Sequence, residues 1–260
     1  MRNLTPESFR EQVRSGAYTG PTAGVCDGFV QANLAILPKE DAFEFLLFCQ
    51  RNPKSCPLID VTDIGSPVPA ASAPGADLRT DIPKYRVYRN GELTDEPADL
   101  NEYWTDDMVA FLIGCSFTFE EALIRNGIPM RHHEEGVNVP MYRTSVETVP
   151  AGKFSGPMVV SMRPMGAGDV VRAVQVTSRF PSVHGAPVHI GTPEEIGIRD
   201  IAKPDFGDAV TVREGETPVF WACGVTPQSV AMHTKPSLMI THAPGHMFVT
   251  DLKSEQLGVI

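Results

Sequence analysis

Residues 157–222, PMVVSMRPMGAGDVVRAVQVTSRFPSVHGAPVHIGTPEEIGIRDIAKPDFGDAVTVREGETPVFWA, decide how the fold is read. PMVVSM (157–162) is apolar and β-branched and reads as a strand, and DVVRAVQVTSRF (169–180) carries helical spacing. PVHI (187–190) reads as a strand, PEEIGIRDI (193–201) as a helix and TPVFWA (217–222) as a strand. Further on, Thr226 and Pro227 open another helix, and LMIT (238–241) and HMFVT (246–250) are strand-like. Strands alternating with helices of this length predict an α/β fold with a mixed sheet and flanking helices, since a parallel crossover needs a helix to return the chain.

Upstream, Thr5 is placed as an N-cap and Pro6 at the first helical position, with Phe9 and Val13 on one face and Gly16 as a stop. AYTGPTAGVCDG (17–28) breaks every period and predicts an irregular loop able to approach a ligand. Ala42, Phe45, Leu46 and Cys49 form a helical stripe, with Cys49 as a packing residue. Leu58–Val61 reads as a strand, and GSPVPAASAPGA (65–76) as a linker or wrapping arm. Asn90-Gly91 within YRVYRNGELTD (85–95) predicts a hairpin. WTDDMVAFLIG (104–114) and TFEEALIRNG (118–127) both read as helices, the second with a Thr118/Glu121 capping box and Gly127 as terminator. FLIGCSFTFEE (111–121) and VFWACGVTPQS (219–229) share a pattern in which an apolar run ends in Cys before a helix start. The expectation is one domain, 1–260, a single compact unit in which two lobes could flank a cleft.

With 32 acidic against 22 basic residues the formal charge is −10, which repels nucleic acid and anionic membranes, and no Lys/Arg run offsets it. No stretch reaches the ~18 apolar residues of a membrane span, and the start MRNLTPESFR does not read as a secretion signal. Five cysteines without a C-x-x-C pair read as reduced thiols, so a cytoplasmic location is expected.

Residues 115–143 are the densest in functional atoms, with RHHEEGVNVPMYRT (131–144) read as a loop-like element lining a site or facing water. Cys115 and Cys223 each precede a helix start, where backbone N–H groups favour a thiolate, although packing alone would also explain them. Arg131, Arg143 and Arg163 suit a small carboxylate, because a guanidinium binds one through two parallel hydrogen bonds. The pairs His184/His189 and His242/His246 are split by Pro187 and by Pro244-Gly245, so neither presents two ligands on a helix face. No metal is assigned, and His184, His189 and His242 are read as orienting or substrate-contacting groups. Neither G-x-G-x-x-G nor G-x-x-x-x-G-K-[ST] occurs, so no nucleotide cofactor is expected.

The words GPTAGVCDGFVQANLAILPKEDAFEFLLFCQRNPKSCPLIDV, DLRTDIPKYRVYRNGE, FLIGCSFTFEEAL, GIPMRHHEEGVNVPMYRT, HGAPVHIG, FWACGVTPQ and THAPGHMFVTD together resemble the hydro-lyase family associated with D-glutamate cyclase. The resemblance runs from Arg14 to about Asp251. It implies closure of D-glutamate to 5-oxo-D-proline and water, an activity attributed to a larger relative in which a second domain is attached. On that reading Glu134 and Glu135 serve as base and acid, Arg131, Arg143 and Arg163 hold the carboxylates, and Ser116, Tyr142 and the three histidines contact substrate. Cys115 or Cys223 then forms a thioester or positions the oxyanion. The alternatives are a cofactor-independent racemase using Cys115 and Cys223, or a non-catalytic carboxylate-binding subunit of 5-oxoproline metabolism. The expected partner is a small carboxylate or amino acid, with self-association left open.

Overall fold

MVAFLIG (Met108–Gly114), read as helical above, is a strand buried at every position. Alternate side chains go to opposite faces: Met108, Ala110 and Leu112 join one apolar cluster, and Val109, Phe111 and Ile113 another. A strand covered on both faces shows no polar alternation, so its apolar run cannot be told from a buried helix by period.

The computed structural model describes Met1 and residues 3–259. Its first half contains α1 (Pro6–Arg14), β1 (Phe29–Pro38), α2 (Lys39–Arg51), β2 (Leu58–Val61), β3 (Tyr85–Arg89), β4 (Glu92–Asp95), β5 (Met108–Gly114) and α3 (Phe117–Arg125). Then follow α4 (Arg131–Glu135), β6 (Met141–Glu147), β7 (Pro157–Gly166), α5 (Ala167–Thr177), β8 (His189–Ile190), β9 (Glu216–Ala222), α6 (Thr226–Thr234), β10 (Met239–His242) and β11 (Phe248–Lys253). The expected α/β class and the Asn90-Gly91 hairpin are both present. The segment 131–144, read as loop-like, is irregular at 136–140 but forms α4 before it and the start of β6 after it, and the helix expected at 193–201 is one 3₁₀ turn, Pro193–Ile196. The 65–76 arm is not a free linker, for Ser72, Ala73 and Ala76 are buried against the first cluster.

One sheet has the order β2-β5-β1-β10-β3-β4 with β11 also on β1, and the other β6-β7-β9-β8. Every strand pair is antiparallel, where a mixed sheet was expected. The reason is an inserted strand. β1 and β2, joined through α2, run in the same direction as a crossover requires, but β5 lies between them. In the second sheet β9 lies in the same way between β7 and β8, which α5 connects.

That parallel extends to the whole chain. Apart from the β3–β4 hairpin inserted between β2 and β5, each half runs long strand, helix, short strand, strand, Cys and helix, and Ala32 pairs with Gly114 just as Val160 pairs with Ala222, the residues before Cys115 and Cys223. The Thr118 hydroxyl accepts the Gln31 N–H at 3.3 Å and the Thr226 hydroxyl accepts the Val159 N–H at 3.1 Å, equivalent bonds from helix to strand. The halves are interlaced: after α3 the chain adds β6 to β7, and after α6 it adds β10 to β1. The cysteine pattern seen in the sequence is thus a repeated structural device.

Candidate functional site

Glu120, on the buried side of α3, is the centre of the densest polar cluster. Its Oε1 accepts from Arg163 Nε at 2.9 Å and from Arg163 Nη2, while Arg163 also donates to Ser161 Oγ and Ser116 Oγ at 3.0 Å each. The guanidinium lies against the neighbouring rings of Phe119 and Trp221, 5.5 and 5.4 Å from their centres. His132 Nε2 approaches Glu120 Oε1 at 3.3 Å, and His133 Nε2 lies 3.2 Å from Oε2 but off the hydrogen-bonding axis, with no hydrogen-bond partner. Burial would raise the Glu120 carboxyl, but Arg163, His132 and His133 hold it well below the usual carboxylate range. Burial lowers His132 against the pull of Glu120, so its imidazole is neutral near pH 7. α3 starts at Ser116 without a side-chain cap, and Thr118, expected as the cap, bonds instead to β1.

Glu120 and His133 open onto a cleft of about 380 Å³ lined also by the 24–29 loop, Glu121 and Arg125. Asp27, Glu120 and Glu121 outnumber Arg125 on its wall, so this cleft is acidic on balance. Glu120, His132 and His133 bring one ligand-type atom each within 4.8 Å of one another, a set that could hold a metal ion.

The other predicted residues fall in different places. Cys115 and Cys223 are buried near the Glu120–Arg163 pair, but burial pushes the Cys115 thiol up and the Cys223 thiol to about 11. The thiolate expected there is therefore disfavoured: desolvation outweighs the helix-start N–H groups, represented by the Phe117 N–H 3.5 Å from Cys115 Sγ. Arg131 is committed to Glu134 at 3.0 Å, Glu216 at 2.6 Å and the Thr211 carbonyl at 2.8 Å. Glu135 accepts from the Thr211 N–H at 3.2 Å. Glu134 and Glu135 thus tie α4 to the 211–216 loop, while the two histidines between them and Arg131 turn to Glu120. Tyr142 donates to the Ile201 carbonyl at 2.6 Å, and His189 Nε2 to that of Thr192 at 2.7 Å. His184 donates through Nδ1 to the Lys54 carbonyl at 2.9 Å, and His242 Nδ1 accepts the Leu34 N–H at 3.0 Å. Burial drives these two down to about 4 and about 3, so both are neutral structural groups.

Arg143 lies elsewhere, in a pocket of about 480 Å³ lined also by Lys84, Arg86, Glu96, Asn138, Asp205 and His246, where Asp205 accepts the Arg143 backbone N–H at 2.8 Å and the three cations outnumber the two carboxylates. Its Nε is buried without a partner, Nη2 meets only the Met232 sulfur at 3.2 Å, and the group lies over the Phe206 ring. Among the described residues no carboxylate lies in ion-pair range of it. Lys84 and Arg86 share Glu96 at 3.3 and 2.8 Å. His246 donates from Nδ1 to the Pro244 carbonyl at 3.0 Å, leaving Nε2 as the proton acceptor. Burial, then Lys84 and Arg86, lowers its pKa. The turn requires Gly245, at φ +82°, where a Cβ would lie 2.6 Å from Asn138 Nδ2.

Sequence reading passed over Glu120, Lys84, Arg86 and His246 as site residues. A signal existed for two of them. Lys84 and Arg86 alternate with Tyr85 and Val87, which the strand period sends to the core.

The family model for D-glutamate cyclase matches residues 109–251. A Bacillus licheniformis protein named "Putative hydro-lyase" is 68% identical over 100% of this chain and 99% of its own length. A Stutzerimonas stutzeri protein of the same description is 67% identical over 100% and 98%, and the Bacillus subtilis relative YcsI is 62% identical over 99% and 100%. A nitrogen repressor-like protein of Methanococcus jannaschii aligns over 94% of this chain and 97% of its own at 9% identity and TM-score 0.38, below the level of a shared fold.

Proposed function

The chain belongs to the D-glutamate cyclase family and is a hydro-lyase, and from that premise we propose that it converts D-glutamate to 5-oxo-D-proline and water in the basic pocket. The observation that carries the choice of pocket is Arg143, a guanidinium lining it without a carboxylate partner, beside Lys84 and Arg86. A dicarboxylate is drawn to this pocket and repelled by the acidic cleft.

The chemistry needs a neutral amine and a protonated leaving oxygen. Of the three ammonium hydrogens one stays on the lactam nitrogen and two leave with a γ-oxygen as water. His246, neutral at pH 7 with Nε2 free of its proton, accepts the first, returns it to the γ-oxygen as the nitrogen closes on carbon, and repeats the transfer. Arg143 holds the γ-carboxylate and the oxyanion that develops from it, and the α-carboxylate takes the N–H groups of Lys84 and Arg86 that Glu96 leaves unused. The lowered His246 pKa sets the sign of the pH dependence: the base form persists below the ordinary histidine range, and activity falls only on further acidification.

The test is lactam formation from D-glutamate by the purified chain. His246→Gln should lower kcat by ~10²–10⁴-fold, and Arg143→Ala should act chiefly on KM. Wild-type rates in both variants would exclude this pocket. A two-thiol racemase has the Cys115/Cys223 repeat in its favour, but both thiols are buried with raised pKa. Exchange of the Cα hydrogen in deuterated water without lactam formation would favour it.

A further inference from the structure

We propose that Glu120, His132 and His133 form a binding site for one divalent transition-metal ion of the zinc class, opening onto the acidic cleft. The geometry comes first. At a tetrahedral ion with bonds of 2.0–2.1 Å, neighbouring ligand atoms stand about 3.3 Å apart. His132 Nε2 is 3.3 Å from Glu120 Oε1 and 3.4 Å from Oε2, and His133 Nε2 is 3.2 Å from Oε2. As a hydrogen bond the His133 contact fails, since Nε2 is buried and unpartnered. As one edge of a coordination tetrahedron the same spacing is correct.

The ligand chemistry agrees. Both contacts from Arg163 fall on Glu120 Oε1, so Oε2 is left for an ion. Ser116 and Ser161 fix Arg163, which in turn fixes the carboxylate, the outer-shell support that ligands of a metal require. The charge of a dication beside Arg163 is offset by Glu120 itself and by Asp27 on the cleft wall, where Glu121 is paired with Arg125, and the cleft gives an entry path and room for a water as the open ligand. None of this depends on the substrate proposed for the basic pocket.

The full chain, stripped by a chelator and dialysed, should bind one equivalent of zinc. Cobalt(II) as a coloured probe should show the strong visible absorption of tetrahedral coordination. Loss of an outer-shell partner costs 10–100-fold in metal affinity, so removing a ligand in His133→Ala should weaken zinc binding by at least about 100-fold. His133 side-chain exposure is 23%, so this variant should fold, and its circular dichroism and melting without metal check that it does. His132→Ala should behave alike. Failure of the wild type to bind zinc or cobalt, or binding unchanged in a folded His133→Ala, overturns the proposal. Lactam formation by His246→Gln and Arg143→Ala is read separately, so either idea can fail alone.

Discussion

β5 runs into Cys115 and α3, and β9 runs into Cys223 and α6, by the same backbone course and with the same threonine bonded back to the long neighbouring strand. Their side chains part company at three places. Ser116, which accepts from Arg163, corresponds to Gly224, which is pressed against Asn33. Glu120 in its ion pair corresponds to Gln228, whose amide accepts from Tyr88 and donates to the His242 carbonyl. Ile124, on the wall of the acidic cleft, corresponds to Met232 in the basic pocket. A repeated frame therefore carries a charged centre at the first helix start, completed by Arg163 from β7 of the other half, and a neutral, hydrogen-bonded one at the second. The difference teaches that the frame determines where a site can form, and a few side chains determine its charge.

The sharpest way to break the comparison is at Glu120. Glu120→Ala leaves the Arg163 guanidinium, 1% exposed, without its counter-charge and should cost ~3–5 kcal/mol in denaturant unfolding. Glu120→Gln copies the other half yet still strands Arg163, so it too should be strongly destabilising. A cost under ~1 kcal/mol for either would mean that the charged centre is not held by this pair.

Acid should act through the buried histidines. A histidine whose folded pKa is depressed contributes stability in full above its unfolded value, and that stability is lost as pH falls toward the folded value. For His184 the window runs from 6.5 down to about 4, and for His242 from 6.5 to about 3. At about 1.4 kcal/mol per pH unit, His184 should account for roughly 3 kcal/mol and His242 for roughly 5 kcal/mol, each across its window, read from melting as a function of pH. His242→Asn should flatten the part of the curve that belongs to the β1–β10 join between the halves. An unaltered slope would remove His242 from the account.

Gly224→Ala tests the close approach in the neutral half. A Cβ there would fall 1.8 Å from Asn33 Nδ2, and Asn33 is held by the Gly114 carbonyl at 2.7 Å, so the side chain cannot simply swing away. Overpacking of this kind costs ~1–3 kcal/mol. Ser116→Ala, at the corresponding position, adds no atoms and removes one bond to Arg163. Equal melting temperatures for the two variants would show that the halves do not differ here in the way described.

What the sequence made legible was local. Thr5-Pro6 capping, the Asn90-Gly91 turn and the apolar stripe of α2 depend on neighbours in the chain. β5 and β1 were harder, because Met108–Gly114 is covered on both faces by residues from as far away as Leu34 and Val230, and a doubly covered strand has no period to read. For the proposed site, the sequence offered Arg143 and Arg131 alike as guanidinium groups suited to a carboxylate, and residue type alone does not separate them. What distinguishes them is Glu134, Glu216 and the Thr211 carbonyl closing on Arg131, and two of these three partners are distant in sequence. The cysteines differ from the thiolate reading for a related reason: the position at a helix start is visible in sequence, and the burial that pushes both thiols up is not.

The smallest expected effect is also the most direct test of the repeat. Thr118→Val removes the acceptor for the Gln31 N–H, and Thr226→Val that for the Val159 N–H, each with nearly no change of volume. Both threonines are buried, so each valine leaves a strand N–H without its partner, at about 1 kcal/mol or somewhat more. Thr226 also donates to the Cys223 carbonyl at 2.7 Å, a bond with no counterpart shown for Thr118, so Thr226→Val should be the costlier of the two. The two bonds share no atoms, and in the double variant the costs should add within ~0.5 kcal/mol. Coupling well beyond that would mean the two helix starts are linked through the cluster around Arg163. A cost at only one of them would mean that the matching bonds do not do matching work, and the repeat would then describe the path of the chain without its energetics.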